Sequence, residues 1–374
     1  MTGSRTKVKS QRKQSADAVF AGTNSWDEFK SEVLTLNDTE TGSHFERLTQ
    51  LYLQIDPIYS SKLRNVWLLA QVPPKIAALL KLPALDKGID LIAETFDGEY
   101  WAIQCKYRND ETASITWNEL SSFVGLAFGV CRNISFGLIC TSTERMTSLL
   151  HSQPHIGFVT IDTWRHLTQA FFDLVKTKIS GRPIELSPLA PRSHQTRAIK
   201  NGREYFANEG HARGKLIAPC GTGKSLTAYW LTSVLGSRLT LVALPSLALV
   251  KQSFAVWLRE SMAQKTPVNW LCVCSDATVG HRTPDDPIFR TDELGVPCTT
   301  SESEIVDWLR RNKTGNRVLF TTYQSSLVVA SAANAASAEF DVAVFDEAHK
   351  TVGRRDRVFS HLLYDENIRI KRRI

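Results

Sequence analysis

Apolar residues along the chain fall into short runs separated by stretches of helical period. In the first half a helical pattern, SHFERLTQLYLQI (43–55), precedes the runs VWLLAQV (66–72), GIDLIAE (88–94), YWAIQCKY (100–107), FGLICTS (136–142) and GFVTID (157–162), and a further helix ends near Lys178. Strands alternating with helices predict an α/β layer fold over residues 26–180. The segment KISGRPIELSPLAPRS mixes prolines and a glycine without periodicity, which predicts a linker at 181–192. Beyond it KLIAPCGTGKS, LTLVALPS, NWLCVCS, RVLFTTY and DVAVFDEAH are each a short apolar run ending in small or polar residues. Buried parallel strands read this way, and ligands gather at their carboxyl ends. Residues 193–374 are therefore expected to form a doubly wound parallel sheet.

Composition changes this picture little. A length of 374 residues suits two domains, and 43% hydrophobic residues allow each a core. A formal charge of +7 permits a polyanionic partner without identifying one. The seven cysteines, at 105, 131, 140, 220, 272, 274 and 298, are scattered; the C-x-C at Cys272 and Cys274 reads as a strand, not a zinc knuckle. Reduced thiols and a cytoplasmic location are the expectation. No run of 18 apolar residues is present to span a membrane. The basic, Ser-rich residues 1–25 lack the apolar core of a signal peptide and read as a disordered tail.

Candidate chemistry begins at a hairpin. Asp97-Gly98 is the natural turn between GIDLIAE and YWAIQCKY, and loop length decides which side chains share a face. A three-residue loop, 96–98, sets Thr95 opposite Glu99, Ala93 opposite Trp101, Leu91 opposite Ile103 and Ile89 opposite Cys105, an apolar face. The other face then carries Asp90 opposite Gln104, with Lys106 two residues along. A two-residue loop would mix polar with core positions. A carboxylate and an amide oxygen are hard ligands suited to Mg²⁺, and a nearby ammonium can hold the attacking water of a phosphodiester cleavage. A polar stripe on a half-exposed sheet would carry the same alternation.

These residues carry a resemblance. GID followed by IQCK resembles the D...QxK variant of the PD-(D/E)xK restriction-endonuclease fold, in its Mrr-like branch, where Gln, here Gln104, stands for the usual glutamate. The helix TGSHFERLTQLY resembles that branch as well, and Glu46 matches its supplementary metal-site glutamate. The resemblance implies an Mg²⁺-dependent nuclease with Asp90, Gln104 and Glu46 at the metal and Lys106 beside it.

APCGTGKSL carries a second chemistry. Gly221, Thr222 and Gly223 form a loop whose N–H groups wrap phosphate oxygens, Lys224 reaches the β and γ phosphates of ATP, and Ser225 offers its hydroxyl to Mg²⁺ at a helix N-terminus. Ala218 stands where the general P-loop pattern has glycine. In VAVFDEAHK, Asp346 at a strand end can hold Mg²⁺ through water, and Glu347 can orient the water that attacks the γ-phosphate. P-loop and DEAH together resemble superfamily 2 helicases with a RecA-like lobe. That resemblance implies that His349 couples the nucleotide site to motion. It also implies that PRSHQTRAI reads adenine through Gln195, and that LPSLALVKQ and FTTYQSS grip a nucleic-acid backbone at Pro245, Ser246, Thr321, Thr322 and Tyr323.

An Mrr-like nuclease followed by a superfamily 2 motor resembles the N-terminal architecture of type ISP restriction-modification enzymes. Ile374 lies 25 residues past His349, too few for the second RecA-like lobe that such a motor uses. The expectation is an N-terminal part of a longer polypeptide acting on double-stranded DNA, whose further domains include that lobe and, by the resemblance, a methyltransferase and a target-recognition domain. The competing reading is a DNA-binding helicase or remodelling protein in which the nuclease-like domain only clamps DNA.

Overall fold

The computed structural model describes residues 17–83, 88–147, 155–219, 221–275, 290–311, 315–348 and 360–374. It divides into two compact units, Met1–Glu185 with Asp292–Pro297, and Leu186–Thr291 with Cys298–Ile374. Cys220, His349 and residues 1–16 lie outside the described residues.

The first unit contains α1 (Trp26–Val33), α2 (Asp38–Ile55), β1 (Leu63–Leu68), β2 (Leu91–Thr95), β3 (Tyr100–Lys106), α3 (Trp117–Val124), β4 (Ile134–Thr141), β5 (Ile156–Val159) and α4 (Gln169–Ile179). Helix α2 starts where Asn37 accepts a hydrogen bond from the Glu40 amide, with Asp38 and Glu40 favouring its positive end. Phe45, Leu48, Leu51, Tyr52 and Ile55 then recur at helical spacing and are buried. The sheet order is β1-β2-β3-β4-β5. Strands β1, β2 and β3 pair antiparallel, and β4 and β5 continue the sheet in parallel.

Two local expectations are corrected. Residues 17–25 are not tail: Asp17 pairs with Arg47 at 2.7 Å, and buried Phe20 stacks on Phe29 with ring centroids 5.9 Å apart. The first strand stops at Leu68, because Leu69–Gln71 turns into a short 3-10 helix.

The second unit contains α5 (Ser193–Arg203), α6 (Lys224–Val234), β6 (Leu239–Leu244), α7 (Leu247–Ala263), β7 (Val268–Val273), α8 (Glu302–Arg310), β8 (Asn316–Thr322), α9 (Ser326–Ala335) and β9 (Val342–Phe345). Its sheet is parallel throughout, in the order β9-β6-β8-β7. Leu241, Leu319, Val329 and Phe340 lie in its core.

The strand expected at Leu216 and Ile217 does not form. Residues 369–374 run beside β9, bonding through Ala343 N to Arg372 O and Phe345 N to Ile374 O, and Gly214 N bonds Arg373 O on their far side. Arg213 bridges Arg373, Lys215–Pro219 form no ladder, and Ile217 is 92% exposed. The C-x-C does lie in and just after a strand, but Cys298 joins it: its Sγ is 3.2 Å from that of Cys272, which is 3.5 Å from that of Cys274.

Candidate nuclease and nucleotide sites

The hairpin register is the one that hydrophobic matching selects. Leu91 pairs with Ile103 and Ala93 with Trp101, Thr95 N bonds Glu99 O, and Gly98 takes a φ of 83° that a side chain would disfavour. The regular ladder ends at Leu91. Asp90 N bonds Ile103 O, and the Asp90 carboxylate itself accepts from the Cys105 amide at 2.6 Å. The pairing of Ile89 with Cys105 and of Asp90 with Gln104 is thus replaced by a side-chain contact that ties Asp90 to the next residue of β3.

Burial first, then the negative fields of Asp90, Cys140 and Glu46, push the Cys105 thiol well above its ordinary range. Both carboxylates therefore act on the residue next to Gln104. Gln104 is 2% exposed, and its Oε1 has no hydrogen bond. A buried carbonyl oxygen left so costs about 1–3 kcal/mol. Gln104 and Lys106 line one cavity of about 700 Å³ with Gly88, Glu119 and Ser122. Glu119 closes a capping box on Thr116 and pairs with Arg108. The T-x-x-E spacing signals that cap in the sequence, but not its place beside Gln104.

Among the described residues no group of three or more His, Cys, Asp or Glu side chains is placed to hold a metal. A divalent ion here would be held by a carboxylate, an amide oxygen and water, the habit of Mg²⁺. The unsatisfied Gln104 oxygen fits that demand.

In the second unit the P-loop closes on itself. Gly221 and Gly223 take φ values of 75° and 78°, and a Cβ on Gly223 would lie 2.7 Å from Gln195 Nε2. Thr222 Oγ1 donates to Pro219 O. Gln195 is 4% exposed, and both ends of its amide are engaged: Nε2 donates to Thr222 O and Gly223 O, and Oε1 accepts from Arg192 N. In this structure Gln195 therefore braces the loop.

Lys224 begins α6 and its Nζ is 2.8 Å from Glu347 Oε1. Glu347 adopts a left-handed φ of 52°, an uncommon conformation that marks functional loops. Its amide donates to Asp346 Oδ1. Burial raises the Asp346 carboxyl, against the opposing pull of the Glu347 amide and of Lys224. Lys224, Ser225, Asp346 and Glu347 line one cavity of about 1050 Å³. The Ser225 hydroxyl lies against Trp257 and Ser253 of α7, two residues whose role sequence patterning does not signal.

The residues expected at a nucleic-acid backbone are buried or half-buried. Thr321, Thr322 and Tyr323 are fully buried: Thr321 donates to Val273 O, Thr322 meets Ser325, and the Tyr323 hydroxyl donates to Asp346 O at 2.8 Å. Their side chains brace strand ends. Pro245 is buried, and half-buried Ser246 caps α7 by accepting from Leu249 N.

Residues 54–175 match the family described as restriction endonuclease, and residues 188–369 match that of the type III restriction enzyme res subunit. No curated protein sequence matches the chain. Among solved structures, the ATP-dependent type ISP restriction-modification enzyme LlaBIII bound to DNA matches over 94% of this chain with a TM-score of 0.74 and 24% identity. A nuclease-deletion mutant of the type ISP enzyme LlaGI, in complex with a DNA substrate mimic, matches over 50% of this chain and 17% of its own at 26% identity, with a TM-score of 0.39 too low to bear on the fold. The chain spans 22% of the length of LlaBIII, and at that identity the likeness concerns the fold. The chain thus joins a restriction-endonuclease domain to a helicase domain of the res-subunit family, on the fold shared with that part of a type ISP enzyme.

Proposed function

We propose that the chain is the nuclease and ATP-binding part of a DNA-restriction enzyme of type ISP, cutting DNA with Mg²⁺ and coupling that cut to an ATP-driven motor on double-stranded DNA. The observation that carries this reading is the buried oxygen without a hydrogen bond on Gln104, a residue that lines a cavity with Lys106 and stands next to the amide that Asp90 holds. In the nuclease, Asp90 and Gln104 hold Mg²⁺, and Glu46 adds negative charge from α2. Bound there, Mg²⁺ would supply positive charge to the phosphate oxygens and make a nearby water more acidic. Lys106 holds the attacking water.

In the motor, Lys224 leaves Glu347 to meet the β and γ phosphates of ATP, and Ser225 and Asp346 hold the accompanying Mg²⁺. The freed Glu347 orients the hydrolytic water. Of the residues expected at the nucleic acid, Ser246 keeps exposure enough to reach a backbone phosphate. A second motor lobe, a methyltransferase and a target-recognition domain complete the enzyme on this reading. Among the described residues no helix is long and apolar enough to cross a membrane, and we place the enzyme in the cytoplasm with its DNA.

Replacing Lys106 tests the nuclease. In a plasmid-nicking assay with Mg²⁺, Lys106→Ala is expected to lower cleavage by at least ~100-fold, with DNA binding by gel shift unchanged. Cleavage indifferent to that change, or no Mg²⁺-dependent cleavage by the unaltered chain, leaves the clamping alternative.

A further inference from the structure

The P-loop serine has two neighbours that the motif does not include. Trp257 is 2% exposed, and its indole N–H is shared between the Ser225 carbonyl and the Ser225 hydroxyl, each at 3.1 Å. Ser225 Oγ donates in turn to Ser253 Oγ at 3.4 Å. Ser253 and Trp257 sit one turn apart on α7, so both face α6 together. The indole cannot swing away, because Tyr229 and Phe320 meet it edge-on, with ring centroids at 5.4 and 5.8 Å.

A hydroxyl has one proton and two lone pairs. Here one lone pair receives the indole N–H, and Ser253 Oγ at 3.4 Å is a weak acceptor for the proton. One lone pair remains, with its direction set by two buried partners. An indole N–H can only donate, so Trp257 cannot itself ligate a cation. It can fix the rotamer of a side chain that does, as hydrogen-bonded outer partners do around metal ligands.

We propose that Trp257, assisted by Ser253, is a positioning residue for Mg²⁺ at the nucleotide site, holding the Ser225 hydroxyl in the one orientation that keeps a lone pair for the ion. This rests on the ATP-binding reading above. Its consequence is selective: the indole matters to nucleotide affinity only when Mg²⁺ accompanies the nucleotide, since Lys224 and the loop amides contact phosphate without Ser225.

The test measures the affinity of fluorescent ADP for the chain twice, in EDTA and in saturating Mg²⁺. The ratio of the two dissociation constants is the metal-linked gain. Trp257→Phe keeps the buried ring and removes the donor; it is expected to leave the EDTA value unchanged and to cut the gain by about tenfold. A packing defect would instead weaken both affinities together, and that result, or a gain equal to the unaltered chain's, overturns the proposal. Should Trp257→Phe not fold, Ser253→Ala decides: a reduced gain at constant EDTA affinity supports the proposal, and an unchanged gain overturns it. Failure of the unaltered chain to bind ADP at all overturns the ATP-binding reading and the proposal with it.

Discussion

On the proposed function the two candidate sites face the same problem, a polyanion met by a divalent ion, from opposite starting points. At the nucleotide site the described polar groups already hold one another: Lys224 bonds Glu347, Gln195 braces the P-loop, and Ser225 lies between Trp257 and Ser253. At the nuclease site one buried oxygen, Gln104 Oε1, holds nothing. On that reading a nucleotide would compete with internal partners before it binds. The nuclease metal would relieve a deficit already present. The first arrangement suits a site that cycles between states, and the second suits one that waits for an ion.

The largest expected effect sharpens the nuclease half of that contrast. Gln104→Met keeps the length of the side chain and removes the unsatisfied oxygen. Without Mg²⁺ it should raise the unfolding free energy by about 1–3 kcal/mol, the usual cost of a buried carbonyl left unpaired. It should also erase any stabilisation that Mg²⁺ gives the unaltered chain. Urea unfolding with and without Mg²⁺ reads both terms. A variant less stable than its parent in EDTA would mean that the amide is structural, and the contrast between the sites would collapse.

A smaller effect belongs to the nucleotide half. Lys224 and Glu347 are both about one-quarter exposed, and such pairs contribute about 1 kcal/mol or less. Glu347→Gln should weaken the hold on Lys224 and so tighten ADP binding, by no more than about fivefold. Titration of ADP in EDTA measures this without involving the metal. Weaker binding by the variant would show that the pair assists the nucleotide instead of competing with it.

How much of this was legible in the sequence follows from how local each feature is. The register of β2 and β3 was legible, because hydrophobic matching and one glycine decide it. The departure at Asp90 was not, since its carboxylate takes the Cys105 amide in place of a main-chain acceptor, and a side-chain substitute leaves no trace in periodicity. The P-loop was legible as far as its backbone turns. The strand before it was not: Leu216 and Ile217 have strand character, but a strand exists only where another backbone accepts it. Thr321, Thr322 and Tyr323 are singled out by resemblance to helicase motifs, and only packing reveals that each hydroxyl bonds the protein. Trp257 gave no signal at all, being one apolar position among several on α7.

An effect read through its pH dependence belongs to the satisfied pole of the nuclease unit, where Glu111 is the opposite of Gln104. Burial alone would raise its carboxyl, but hydrogen bonds from Lys30, Trp26 and Arg165 bring it down to about 2 from an ordinary 4.5. The donors approach at 2.5, 3.1 and 2.6 Å. They join α1 to residues of the loop after β3 and of the segment before α4. A carboxyl depressed in the folded state binds its proton more readily when unfolded, so its contribution is fully present above pH 4.5 and is lost as pH falls through about 2. Glu111→Gln should therefore flatten the decline in stability across that window while Gln104→Met leaves its slope unchanged. Urea midpoints at a series of pH values between 6 and 2.5 separate the two variants, and a Glu111→Gln slope equal to that of the unaltered chain would mean that other carboxylates, not this one, carry the acid sensitivity of the unit.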